Sequence, residues 1–315
     1  MPAVSTAVDH DGNPLRLLLV HAHPDDETST TGVTIAHYRA RGIPVTLVTC
    51  TRGERGENAL VKGNHDGSDD SAERLGELRV AELRSAASEL GLTDVRFLGG
   101  PGSWWDSGMA DARVHHPRAF ADGDLAEQIG QLVAIIREVR PQVILTYDEN
   151  GGYGHPDHIR AHDVAIAAYD AAADPATFPD AGDAWSVTKL YASAVPYSQL
   201  LHVAEYMSTL DIPGNPFTFA GDPPPVEALP FGVPDEAVTA RIDAHEMADA
   251  KVAAMRAHRT QLGVNGWFFT LADAPGRPFG VEYFRILRGT AAPNQAGEPE
   301  NDLFAGAAAP AATAG

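Results

Sequence analysis

Apolar residues along the chain fall into two recurring patterns. Short, near-continuous runs occur at Leu15 to Val20 (LRLLLV), Val45 to Cys50 (VTLVTC), Val95 to Leu98 and Val143 to Tyr147 (VILTY). They have strand length and the unbroken character of strands buried on both faces of a parallel sheet. Between them lie longer segments with helical spacing. Thr30 to Arg41 is stopped by Gly42, Ser71 to Leu90 by Gly91, and Leu125 to Arg140 by Pro141; Asp157 to Ala173 follows. Strand and helix alternate four times within the first 175 residues. That alternation predicts an α/β fold, a Rossmann-like, doubly wound parallel sheet flanked by helices, with the loops after the strands gathered at one edge.

The second half is less regular. A strand is expected near Lys189 to Ser193, a helix near Ser198 to Leu210, and a Pro-rich stretch from Pro213 to Pro234. Thr239 to Ala244 and Glu282 to Leu287 read as further strands, with a helix from Met247 to Leu262 between them. The organisation expected is a flexible arm over 1–14, a catalytic core over 15–200, a portion over 201–288 that walls the pocket, and a mobile tail over 289–315, where Ala, Gly and Pro dominate.

Composition narrows the choice of partner. The chain has 315 residues and a formal charge of −20, which disfavours nucleic acid and anionic membrane surfaces. A single cysteine, Cys50, excludes an internal disulfide framework and a four-thiolate zinc site. No uncharged run is long enough to span a membrane, and the polar first residues lack a signal-peptide pattern, so a cytoplasmic protein is expected.

Two segments carry the candidate chemistry. His21-Ala22-His23-Pro24-Asp25-Asp26-Glu27 follows the first strand, and Gly151-Gly152-Tyr153-Gly154-His155-Pro156-Asp157-His158 follows the strand ending at Tyr147. A nucleotide-binding loop in the first position would be glycine-rich; imidazoles and carboxylates suit a cation instead. Adjacent strands would bring the two segments together.

The pair HAHPDDE and GGYGHPDH resembles the paired motifs of the LmbE/PIG-L family of zinc-dependent N-acetylglucosaminyl deacetylases. The similarity covers roughly residues 15–200 and extends to TCTRGERGE and LGGPGSWWDSGM. Within the family, DSGM is most similar to the mycothiol-pathway branch that deacetylates N-acetylglucosaminyl-inositol. The resemblance implies His23, Asp26 and His158 as ligands of one Zn2+ per subunit, a set that Fe2+ also accepts. It implies Asp25 as general base, free because adjacent carboxylates do not easily face one ion. It further implies Tyr153 as an oxyanion donor and His155, tuned by Asp157, as a positively charged stabiliser or acid. Arg79, Asp106 and Met109 correspond to substrate-contacting or pocket-lining positions. The substrate implied is a small amino sugar whose acetamide is hydrolysed to acetate and amine. A mycothiol S-conjugate amidase is the first alternative, and a non-catalytic α/β sugar-binding protein the second.

Other polar residues read more simply. His21 is expected to be structural, and His115-His116 to form a solvated loop. An ion pair with Glu82 or another neighbour is the plain alternative for Arg79, and turn formation for Asp106. Cys50 reads as a small buried hydrophobe, and the acidic stretch from His65 to Asp70 as a solvated insertion.

Overall fold

The computed structural model describes residues 7–60, 68–110, 116–210, 225–229, 231–263, 266–274, 278–292 and 297–308. In chain order the first half runs β1 (Leu17–His21), α1 (Asp26–Ala40), β2 (Val45–Thr49), α2 (Asp69–Glu89), β3 (Asp94–Phe97), α3 (Leu125–Val139), β4 (Val143–Thr146), the single turn α4 (Gly151–Gly154) and α5 (Pro156–Ala172). The second half adds β5 (Lys189–Ala194), α6 (Tyr197–Ser208), β6 (Ala240–Asp243), α7 (Ala248–Ala257), α8 (Arg259–Leu262) and β7 (Val281–Arg288).

All seven strands join one sheet in the order β3-β2-β1-β4-β5-β7-β6. The first five pair in parallel, whereas β7 runs antiparallel to both β5 and β6. Period-two alternation in β1 explains its uniformly apolar sequence. Leu17 and Leu19 pack on one face with Ile35, Leu83 and Ala254, from α1, α2 and α7. Leu18 and Val20 pack on the other with Leu132, Ile136, Val164 and Ala168, from α3 and α5. Because β2 and β4 flank β1, the connections leave β1 and β4 in opposite directions and open a crevice at their carboxyl ends. Ligands bind there in open α/β sheets. Both motif segments lie at that crevice.

Three details differ from the sequence-based expectation. First, α1 begins at Asp26, so the first motif is half helix; Asp25 is its N-cap residue, with its carbonyl accepting from Thr28 and Ser29 N–H at 3.1 and 3.0 Å. Second, the helix expected over Met247 to Leu262 breaks at His258, whose φ of −81° and ψ of 58° end α7 and start α8. Third, the segment after Gly289 does not hang free where it is described. Leu303 and Phe304 are buried, Glu300 bridges to Ala240, and Ala308 bridges to Asp9. Composition predicted mobility, but two bulky apolar side chains and one buried carboxylate anchor the segment to the sheet. Asp9 in turn accepts from Gln142 Nε2 at 2.8 Å, which fastens the expected amino-terminal arm as well. Of the Pro-rich stretch from Pro213 to Pro234, residues 213–224 and 230 lie outside the described residues.

Glu300 is the anchor of that closing segment. It pairs with the buried Lys189 Nζ at 2.8 Å and accepts from the Tyr191 hydroxyl. Removing one partner of a buried pair strands the other's charge, at a cost of about 3–5 kcal/mol, whereas replacing both by apolar residues costs much less. Glu300→Ala should therefore lose about that much unfolding free energy in denaturant titration, and Lys189→Met/Glu300→Leu clearly less. A loss below about 1 kcal/mol in the single variant would mean that the segment is not anchored as described.

Candidate active site

His23 leaves the end of β1, and its backbone N–H donates to Asp26 Oδ2 at 2.8 Å, closing the turn into α1. His158 sits in the first turn of α5, which starts cleanly because Pro156 occupies the first position and the His155 side chain caps it, accepting from Asp157 N–H at 3.1 Å. The Gly151 backbone lies against that turn: at φ +62°, a Cβ there would stand 2.7 Å from His158 Cβ and Ile159 N. Only glycine lets the two approach.

These elements place three candidate ligand groups together in a buried spot. His158 Nε2 is 3.3 Å from His23 Nδ1, His23 Nδ1 is 3.5 Å from Asp26 Oδ2, and His158 Nε2 is 3.5 Å from Asp26 Oδ1. Ligand atoms about 2.0–2.1 Å from one tetrahedral ion stand about 3.3–3.4 Å apart, so the spacing of these groups is compatible with a single first-row cation between them. The far ring nitrogens are held too. His23 Nε2 meets Asp157 Oδ2 at 3.2 Å, and His158 Nδ1 meets the Gly151 carbonyl at 3.1 Å. Such outer contacts fix the tautomer that turns lone pairs toward a metal. Electrostatics agree. Burial opposes protonation of His23, yet Asp106, Asp157 and Asp26 together raise its pKa well above the usual value, while burial and His23 push His158 down to about 4. The pocket draws positive charge to this point.

Wider groupings exist among the described residues. His23, His155 and His158, and likewise His23, Asp106, His155 and Asp157, offer ligand atoms within 4.8 Å of one another. In the His23–Asp26–His158 set the far ring nitrogens are engaged, which leaves the near ones facing a space that a cation could take.

Asp25 flanks this set without joining it. Its carboxylate Oδ1 lies 3.3 Å from Arg79 Nη2 and remains partly exposed. Burial raises its pKa to about 6, with Arg79 pulling the other way and Asp26 adding to the rise. A carboxylate that titrates in that range beside a cation site is suited to proton transfer.

Comparison with known proteins is consistent with this arrangement. Residues 18–169 match the PIG-L family, described as GlcNAc-PI de-N-acetylase. Over 313 residues the chain is 52% identical to 1D-myo-inositol 2-acetamido-2-deoxy-alpha-D-glucopyranoside deacetylase 3 of Catenulispora acidiphila, covering 95% of this chain and 88% of that protein. The chain belongs to the PIG-L family. A relative from Geodermatophilus obscurus bearing the same deacetylase name is 52% identical over 92% of this chain and 97% of its own. Two solved structures share the fold of this PIG-L protein at low identity. They are the N,N'-diacetylchitobiose deacetylase of Pyrococcus horikoshii (TM-score 0.58, 18% identity, 86% of this chain and 83% of that one) and the 4-carboxy-2-hydroxymuconate hydratase of Pseudomonas putida (0.59, 20%, 89% and 99%). One fold thus carries two different chemistries.

The remaining candidate residues of the PIG-L chain divide. Asp157 bears on His155 through its backbone N–H, which donates to His155 Nδ1 at 3.1 Å, while its carboxylate accepts from Ser107 and Ala121 N–H at 2.9 and 3.2 Å and meets His23. The surroundings do not favour a charged His155: burial and the neighbouring His23 lower its pKa to about 3. With Nδ1 accepting from Asp157 N–H, the proton of the neutral ring sits on Nε2, which is 4.0 Å from Asp106 Oδ1. Tyr153 is half-exposed, with its ring edge-on to His158 at 5.1 Å. Asp106 is buried and accepts from Gly108 and Arg55 N–H at 2.8 and 3.3 Å. Arg79 is buried as well and donates to the Pro24 and Gly53 carbonyls at 2.6 and 2.8 Å. Its alternative partner Glu82 is instead bonded to Thr260. Gly53 is glycine for that reason, since a Cβ would fall 2.2 Å from the guanidinium. Met109 is exposed. His116 stacks on Trp105 at 4.0 Å, while His115 and residues 65–67 of the acidic stretch lie outside the described residues.

Sequence reasoning missed Tyr147. Its hydroxyl donates to Asp26 Oδ2 at 2.7 Å and accepts from Ala22 N–H at 2.8 Å, and its ring stacks on His158 at 4.2 Å. It touches two of the three candidate ligands, Asp26 and His158. The available signal was its place at the carboxyl end of β4, where an aromatic residue was read only as the end of an apolar run. Tyr147→Phe keeps the stack and deletes the hydroxyl, so metal affinity should fall about 10–100-fold, the usual effect of losing an outer-shell contact. Competition with a chelator measures this; unchanged affinity would remove Tyr147 from the site.

Proposed function

We propose that this protein hydrolyses the acetamide of 1D-myo-inositol 2-acetamido-2-deoxy-α-D-glucopyranoside, giving acetate and the free amine, a step of mycothiol biosynthesis. The observation that carries the reading is 52% identity over 95% of the chain to a protein named for that deacetylation. The chemistry follows from the site. His23, Asp26 and His158 would hold a divalent cation, Zn2+ by their ligand types. When bound, such an ion polarises an amide carbonyl and acidifies water. Asp25 takes the proton of the attacking water, its carboxylate kept ready by the balance of burial against Arg79. Tyr153 and the neutral Nε2–H of His155 donate to the oxygen on which negative charge grows. Asp157 acts from behind, fixing His23. Arg79 and Asp106, buried and bonded to backbone, shape the loops that meet the sugar, and Met109 lies at the rim. Loss of the carbon–nitrogen bond needs a proton on the departing amine, which Asp25 can return.

One observation favours a second reading, the S-conjugate amidase. A cavity of about 580 Å³ opens beside Tyr153, His158 and Asp26, lined by Leu200, Phe231, Phe268 and Phe279. That volume would accept a large apolar substituent on the acyl side.

The two readings part on one kinetic comparison. The inositol glycoside should show the highest kcat/KM, free N-acetylglucosamine less, and a mycothiol S-conjugate least. Asp25→Ala should keep its metal while kcat falls about 10²–10⁴-fold. Preference for the S-conjugate would select the amidase, and loss of metal in Asp25→Ala would overturn the assignment of base and ligands.

A further inference from the structure

Asp25 is held in a conformation that its own chemistry does not favour. Its φ is 107° and ψ −26°, one of three non-glycine residues with positive φ among the described residues. A side chain at such a φ persists only where the surroundings over-determine it, and such positions cluster at functional sites. Two groups supply the restraint. Arg79 holds the preceding carbonyl, that of Pro24, at 2.6 Å. Glu27 reaches back along the first turn of α1, and its Oε2 accepts from the Asp25 backbone N–H at 2.9 Å.

Glu27 does not stand alone. Its other oxygen, Oε1, meets His258 Nε2 at 2.7 Å, and both side chains are fully buried. Because a carboxylate only accepts, the proton between them belongs to His258 Nε2. His258 comes from the corner between α7 and α8, beyond the residues matched by the family model. The same corner grips the second restraint: Thr260 bonds Glu82 on α2, and Gln261 donates to the Glu57 carbonyl at 2.8 Å, in the loop that carries Gly53 and packs on Arg79. The break in the carboxyl-terminal helix thus falls where a donor is needed.

We propose that His258 is a positioning residue which, through Glu27, locks the backbone of Asp25 in its left-handed conformation and so aims the base. The proposal rests on Asp25 being the base. His258 touches neither substrate nor cation, and a rigid-body error of about 1 Å at a reacting group is enough to cost about 10²-fold in rate.

Two substitutions separate aiming from mere packing. His258→Gln places an amide donor near the Nε2 position, whereas His258→Asn places one near Nδ1, which has no partner in the described structure, and leaves Glu27 without its bond. In the metal-loaded enzyme, the Asn variant should lose about tenfold or more in kcat, with KM within about twofold and metal content unchanged, and the Gln variant should recover most of the loss. The crystal structure of the Asn variant should show Asp25 away from φ 107°, a readout independent of any substrate. Equal kcat in the two variants, loss of fold in both, or an unmoved Asp25 in the Asn variant would overturn the proposal. A wild-type enzyme that releases no acetate from the inositol glycoside would count against the deacetylase reading instead, and the crystallographic comparison would still decide the role of His258.

Discussion

Two imidazole nitrogens and a carboxylate converge at 3.3–3.5 Å in one buried spot, and buried charge of this kind must be paired or hold an ion. The surrounding groups make the demand stricter. Asp157 and the Gly151 carbonyl occupy the outward ring nitrogens, so neither imidazole can turn away. Tyr147 ties Asp26 to the end of β1 and stacks on His158. A divalent cation placed there would meet ligands already oriented by these contacts. The carboxylates that raise the His23 pKa mark the same preference for positive charge.

The fold serves this point from both halves of the chain. The reversal of strand order beside β1 and β4 brings the two motif loops together, and helix starts at Asp26 and Pro156 turn their first residues into the crevice. The second half does more than cover the opening. Strands β6 and β7 extend the sheet, Glu300 pins the closing segment to β5, and the α7–α8 corner reaches back to the loop of Asp25. A cavity wall and the loop of Asp25 are thereby built on one frame.

What could be read from sequence was whatever depends on local pattern. Uniform apolar runs identified β1, β2 and β4, and the two motifs pointed to side chains that the fold brings together, because residue types and strand-end positions are both written locally. Long-range pairing was not legible. Nothing near Asp157 indicates that its carboxylate meets His23, 134 residues away, rather than the nearby His155. The anchored segment after Gly289 looked loose because composition averages over Leu303 and Phe304, the two side chains that matter. The helix break at His258 lacks any glycine or proline to announce it; the residue is held there by a carboxylate from α1.

The central claim concerns where the cation sits, and anomalous diffraction from zinc-loaded crystals measures that without reference to activity. The expected map has one strong peak about 2.0–2.2 Å from His23 Nδ1, His158 Nε2 and an Asp26 oxygen. A peak centred instead among His155, Asp106 and Asp157, or none in the crevice, would contradict the account.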